Sequence, residues 1–186
     1  MTVATARFGA VLAQLPSGPI LVVVALSPTG MQVMATIQTS ASRPTVLNDA
    51  FRGGHLSVED LRDLVPFVWL YDDSPTSQLP ESDWLSMFRA VQFFSYPTRV
   101  PAPNHSVTLY RACTEVRARR MSWTGDKALA LEFGKRHERY GVAHLYQARV
   151  SPPDVLAYML RIDEGWTVVV DPTDLSPVAL DGYDWT

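Results

Sequence analysis

Three short stretches in the second half of the chain carry side chains suited to chemistry on a phosphate-bearing sugar. Arg111 lies within an alternating segment, Val107–Ala112, and a strand there would hold its guanidinium as a rigid bidentate partner for a phosphate. Ser122 and Thr124 precede a predicted helix, whose N-terminus favours anions. Glu164 precedes an apolar run, and a carboxylate there could stabilise a sugar cation as its glycosidic bond breaks. Each feature taken alone is also typical of an ordinary surface residue or helix cap.

Several other kinds of chemistry lack their motifs in this sequence. The four histidines show no metal-ligand spacing, and the single cysteine, Cys113, rules out a thiolate cluster, so no metal is expected. Neither a glycine-rich phosphate loop nor a Gly-x-Ser-x-Gly nucleophile elbow occurs. Cys113 is interpreted as a buried, inert strand residue. Arg117, Arg119 and Arg120 have no interleaved aromatic residues, which indicates a solvated loop rather than a nucleic-acid site.

Composition is that of a folded globular chain, with 186 residues, 47% of them apolar, and a formal net charge of −3. The charge is uneven, since residues 111–150 carry nine basic against four acidic side chains and residues 151–186 carry one against seven. No apolar run is long enough to span a bilayer, no secretory signal is evident, and one cysteine is typical of a reducing compartment. These observations predict a cytoplasmic protein with no membrane partner.

The first half of the chain is predicted to contain a strand near residues 19–26 and a second strand over Met31–Ile37 that pairs with it through a turn at residues 27–30. Ser57 has the features of a helix N-cap, with two acids in the first turn. Pro66 is expected to kink or end that helix.

The second half of the chain contains several strand-like segments with few helices between them, which predicts an α+β domain with a largely antiparallel or mixed sheet. We expect residues 1–103 to form an N-terminal strand and helix lobe of unknown role, and residues 104–186 to form the core, the two together making one compact unit. The predicted elements are a helix from Ser82, strands at Val107–Ala112, Val142–Val150, Val155–Tyr158 and Thr167–Val170, and a helix that begins near Thr124 and ends near Gly141.

Residues 109 to about 175 resemble the ADP-ribosyltransferase superfamily, in its Arg–Ser–Glu branch. The resemblance rests on the order of four stretches: Leu109-Tyr-Arg-Ala112, Met121-Ser-Trp-Thr124, Leu145–Ala157 and Val168-Val-Val-Asp-Pro172. It implies a split mixed β-sheet core that binds NAD as a substrate in its cleft, without a metal. It covers about a third of the chain, and residues 1–100 contribute nothing to it.

The resemblance also implies roles for particular residues. Arg111, with its neighbour Tyr110, would bind the NAD phosphate and nearby ribose, while Ser122 and Thr124 would order the strand that lines the nicotinamide pocket. The family places a Glu-x-Glu motif directly before its last strand. Here the two glutamate positions fall on Gly165 and Thr167 without a gap, or on Glu164 and Trp166 with one inserted residue. The second glutamate of the family motif is the catalytic one, and neither register places a glutamate at that position. Glu164 is the carboxylate expected to replace it, and Asp163 is the other acid near enough to do so.

Three functions stay open on these residues. The first is transfer of ADP-ribose from NAD to a macromolecular acceptor, expected to be protein rather than nucleic acid, by an enzyme acting in its own cell or as a toxin or effector. The second is NAD hydrolysis, with water as the acceptor. The third is a non-catalytic domain that binds NAD or ADP-ribose, or that serves as an interaction module. Residues 113–121 are the candidate segment for acceptor choice.

Overall fold

The computed structural model describes residues 9–15, 18–24, 26–72, 75–137, 144–161 and 165–180. The chain divides into two compact units, Met1–Val91 and Gln92–Thr186. The boundary predicted from the sequence lies twelve residues later, after residue 103. The difference arises because a short strand, Phe94–Tyr96, pairs in parallel with a strand of the second unit.

The first unit combines a two-stranded antiparallel hairpin with five helices among its described residues. The hairpin strands pair from Gly9 opposite Val24 to Leu15 opposite Gly18. The elements are β1 (Gly9–Leu15), β2 (Gly18–Val24), α1 (Pro28–Thr39), α2 (Arg43–Arg52), α3 (Val58–Tyr71), α4 (Pro75–Gln78) and α5 (Glu81–Val91).

Helix α1 replaces the second strand predicted over Met31–Ile37, so that prediction and the pairing with residues 19–26 are wrong. Ser27 is the N-cap, its Oγ accepts a hydrogen bond from the N–H of Gly30 at 3.0 Å, and a proline occupies the first turn. Gly30, Met34 and Ile37 are buried, a spacing of four and three residues that fits a helix. The strand was predicted from the partial alternation of Met31–Ile37 and from interpreting residues 27–30 as a turn. Ser27 in fact caps the helix.

The start of α3 agrees with the prediction, and the helix does not end at Pro66. Ser57 and Asp60 form a reciprocal capping box at its N-terminus. Pro66 lies inside the helix, which continues to Tyr71, so of the two predicted effects, a kink or an end, the end is absent. Because every residue from Leu64 to Leu70 is buried, tertiary packing holds this stretch helical despite the lost backbone hydrogen bond. Part of that packing is an aromatic cluster in which Trp69 meets Trp84 and Phe88 edge to face.

The second unit is built on two sheets. A four-stranded mixed sheet has the order β3-β7-β8-β5, and a three-stranded antiparallel sheet has the order β4-β6-β9. The expected α+β fold with a mixed sheet is thereby confirmed. The elements are β3 (Phe94–Tyr96), β4 (Val107–Cys113), β5 (Ser122–Trp123), α6 (Lys127–His137), β6 (His144–Val150), β7 (Val155–Arg161), β8 (Gly165–Val170) and β9 (Val178–Leu180), with 3-10 turns at Glu115–Arg117 and Pro152–Asp154.

The two faces of the three-stranded sheet bury different clusters. One face joins a core that also contains residues of the four-stranded sheet, among them Trp123 and Val168. The other face packs on α6 through Ala112, Ala130 and Leu145. None of the helices that the structure describes has the length and apolar composition needed to cross a membrane.

Candidate functional site

The two sheets of the second unit meet at one backbone bridge between Tyr110 of β4 and Thr124, the residue that follows β5. The N–H of Tyr110 donates to the carbonyl of Thr124 at 2.7 Å, and the reverse bond is 3.0 Å. Arg111 is adjacent to this bridge along β4, and Ser122 precedes it by two residues along β5. The junction is therefore where the fold gathers the Tyr-Arg and Ser-x-Thr stretches.

Arg111 is half-buried at the centre of β4 and reaches across the junction. Its Nη1 donates a hydrogen bond to the backbone carbonyl of Ser122. Strand alternation places it on the same face as Leu109 and Cys113, both members of the core shared by the two sheets. Burial raises the pKa of the Cys113 thiol, and the charge and hydrogen bond of the nearby Arg111 oppose that rise. The guanidinium is thus held by backbone and thiol contacts in a fixed direction.

Tyr110 lies on the opposite face of β4. Its ring packs against the cluster that joins the sheet to α6, and the Nζ of Lys127 lies 6.0 Å from the ring centroid. The structure therefore brings Tyr110 together with Thr124 and the first turn of α6, not with the guanidinium of Arg111. The period-two alternation of a strand was the sequence signal for this separation.

Thr124 and Asp126 accept the hydrogen bonds that order the N-terminus of α6. Thr124 is 4% exposed, and its Oγ1 accepts a hydrogen bond from the N–H of Asp126 at 3.1 Å. Asp126 in turn caps the helix, since its Oδ1 accepts from the N–H groups of Ala128 at 2.8 Å and Leu129 at 3.2 Å. Ser122, half-buried, lies opposite Val169 of β8, so β5 is fixed between β4 and β8.

The first residues of β8 occupy the place that the resemblance gives to the Glu-x-Glu motif. Trp123 pairs with Val168, so extending the register by one residue sets Thr124 opposite Thr167. Gly165 has a φ of +78°, and a Cβ there would lie 2.9 Å from Cδ2 of Leu129, which brings the start of β8 against α6. No carboxylate occurs within β8. Glu164 and Asp163, the predicted acids, lie outside the described residues.

A cleft of about 700 Å³ opens on the face of the three-stranded sheet that carries Arg111. Its floor consists of His144 and Tyr146 of β6 and Ala179 of β9, none of which is among the site residues predicted from the sequence. Their signal was the alternation of β6, since residues two apart share a face. The residues lining the cleft are Glu115, Val116, Ala118, Arg119, His144, Tyr146, Pro177 and Ala179.

Within the described parts of the chain, no three His, Cys, Asp or Glu side chains are grouped as metal ligands. Comparison with protein-family models, with curated proteins and with solved structures gives no match. The functional assignment of this chain therefore rests on the residues of the sheet junction and of the cleft.

Proposed function

We propose that the second unit binds NAD at the junction of its two sheets and transfers ADP-ribose to a macromolecular acceptor, on an ADP-ribosyltransferase-like split-sheet scaffold. The observation that carries the proposal is the hydrogen bond from Arg111 to the carbonyl of Ser122. It fixes a half-buried guanidinium, the group best suited to bidentate recognition of a diphosphate, at the point where two sheets diverge.

In this reaction the bond between the nicotinamide nitrogen and the ribose carbon breaks, and the electron pair leaves with nicotinamide. Arg111 holds the diphosphate, so the substrate cannot shift as positive charge develops on the ribose. The carboxylate of Glu164 stabilises that charge. A nucleophile of the acceptor then bonds to the same carbon and loses its proton to water or a nearby base.

The test is nicotinamide release together with NAD binding by calorimetry. We expect Arg111→Lys, which keeps the charge but loses the planar fork, to weaken NAD binding by about tenfold or more. Arg149→Ala is the matched control, because Arg149 is an exposed arginine of the neighbouring strand β6 and lies opposite Thr108, away from the junction. NAD binding that Arg111→Lys and Arg111→Ala leave unchanged, in folded protein, would contradict the proposal.

Glu164→Gln tests the chemical step separately from binding. Turnover should fall by roughly 10²–10³ with NAD binding unchanged, by analogy with the loss of one stabilising group in a transition state. A variant that releases nicotinamide at the wild-type rate would remove Glu164 from the mechanism.

The second candidate function is a non-catalytic NAD- or ADP-ribose-binding domain, which the composition of β8 favours. Gly165 and Thr167 stand where the gap-free alignment would require glutamates. In that case wild-type protein binds NAD through Arg111 without releasing nicotinamide. Thr167→Glu, opposite Thr124, is then the variant that would restore a glutamate at the position of the motif, and nicotinamide release is measured in it.

A further inference from the structure

The arginine-rich segment, residues 117–120, contains no aromatic residue, but the fold places two aromatic rings of β6 beside it. His144 is exposed and Tyr146 is 7% exposed, and their rings meet edge to face with centroids 6.3 Å apart at an interplanar angle of 70°. Both line the cleft together with Arg119. An exposed ring braced by a buried one is a preorganised stacking surface, since little side-chain freedom is lost when a planar group binds.

The arginine-rich segment is anchored to the core while its three arginines are exposed. Ala118 is 6% exposed and belongs to the core, and the indole Nε1 of Trp123 donates to the carbonyl of Arg120 at 2.8 Å. Arg117, Arg119 and Arg120 are exposed around these anchors. The segment therefore carries three exposed arginines on a backbone held at both its middle and its end.

The polar groups of the cleft complement a nucleobase. Glu115 supplies a carboxylate acceptor for an exocyclic amino group. Burial, followed by the charges of Cys113 and Glu115, raises the pKa of the Tyr146 phenol, which stays protonated and can donate. Val116, 86% exposed, adds an apolar contact at the rim. Stacking surfaces beside arginines are the combination by which proteins bind single-stranded nucleic acid.

We propose that this cleft binds bases of a single-stranded nucleic acid, whose phosphates the arginines of residues 117–120 contact. Resting on the proposed function, this makes nucleic acid rather than protein the acceptor of ADP-ribose. The position agrees with that role, because Tyr146 is the direct cross-strand partner of Arg111. Adjacent strands lie about 4.8 Å apart, so a bound base lies within a nucleotide's length of the guanidinium.

The experiment measures fluorescence anisotropy of a labelled single-stranded DNA of about 12 nucleotides, within the site sizes common for such proteins. NAD is left out, so that the result is independent of the transfer reaction. We expect saturable binding that weakens with salt. His144→Ala should weaken it by about 5- to 150-fold, the effect of losing one stacked base, and Arg119→Ala should lower the salt slope by about 0.7. Arg149→Ala, an exposed arginine of the same strand as His144 but outside the cleft lining, should bind like wild type.

Two further probes separate base recognition from charge attraction. An abasic strand of equal length should bind at least about tenfold more weakly, because it offers no base to stack, and polyglutamate of equal charge should not displace the labelled strand. Absence of saturable binding, equal binding by all variants, or equal binding of the abasic strand would overturn the inference. Binding that passes these tests in a protein that releases no nicotinamide would support the cleft while contradicting the proposed transferase.

Discussion

Asp60 is the buried carboxylate on which the start of two helices depends, and its replacement gives the most direct test of the structure. It is 1% exposed and joins Ser27, the N-cap of α1, to Ser57, the N-cap of α3. Its Oδ1 accepts from the N–H of Ser27 at 2.7 Å. Its Oδ2 accepts from the hydroxyls of Ser27 at 2.8 Å and Ser57 at 2.9 Å, and from the N–H of Ser57 at 3.2 Å.

Asp60→Asn keeps the shape of the side chain but removes its charge and one acceptor oxygen. If the amide replaces Oδ2, both serine hydroxyls can turn to accept, but the N–H of Ser57 faces another donor. Hydrogen bonds to a charged group contribute about 1.5–3 kcal/mol, and a buried unsatisfied donor costs about 1–3 kcal/mol. We therefore expect the free energy of unfolding to fall by roughly 3 kcal/mol at neutral pH. Asp49→Asn, an exposed acid on α2, should change it by less than about 0.5 kcal/mol.

The same contacts determine how stability depends on pH. Burial alone would raise the pKa of Asp60, but the hydrogen bonds from Ser27 and Ser57 outweigh it and the pKa is lowered. The folded state thus binds this proton less tightly than the unfolded chain, so the contribution is present above the ordinary aspartate pKa of about 3.9 and is lost as pH falls below it. The gap between wild type and Asp60→Asn should be constant from about pH 5 to 7 and should narrow toward about pH 3.

Urea denaturation followed by tryptophan fluorescence measures both effects, because Trp69 and Trp84 are buried in the helices of the same unit. The curves are compared at about pH 7 and about pH 3 for wild type, Asp60→Asn and Asp49→Asn. The reasoning fails if Asp60→Asn unfolds within about 0.5 kcal/mol of wild type at neutral pH, or if the gap stays the same in acid.

Two other outcomes follow from burial and close packing. Gly30→Ala should destabilise the protein, because its Cβ would overlap the carboxylate of Asp60, whereas Gly125→Ala meets no atom within 4 Å and should be near neutral; equal melting temperatures for the two variants would contradict the packing. Cys113, 7% exposed with a raised pKa, should react with a thiol reagent at mildly alkaline pH far more slowly in native than in urea-denatured protein, and equal rates would mean that the thiol is not buried.

Local signals predicted much of the secondary structure in the second unit. Val107–Ala112 and Thr167–Val170 were predicted as strands and lie within β4 and β8. They could be predicted because a short alternating or continuous apolar run bounded by polar residues is typical of a strand. Ser57 was recognised as a cap for the same reason, since a hydroxyl followed by two acids is a local pattern.

The errors came from signals whose meaning depends on distant residues. Ser27 precedes a proline, and this pair occurs both in turns and at the starts of helices. Which of the two forms here depends on the contact with Asp60, 33 residues away. Pro66 is tolerated because its neighbours in α3 are buried on all sides, a fact of tertiary packing. Alternation along β6 places His144 and Tyr146 on one face, but no local pattern reports that this face lies beside Arg119 in the segment after β4, so the cleft itself could not be predicted.

The link between Tyr110 and Thr124 has a mechanical consequence. Among the described residues it is the one isolated backbone bridge between the two sheets, so a change in the angle between them would take this bridge as its pivot and would work against the core that the sheets share. β4 has seven residues, and at about 3.3 Å per residue a rotation of roughly 10° about its middle moves its ends by about 2 Å. The bond from Arg111 to Ser122 spans the same pivot and resists that rotation. Replacing Arg111 therefore removes one of the contacts that hold the two sheets at a fixed angle, in addition to the group proposed to bind the diphosphate.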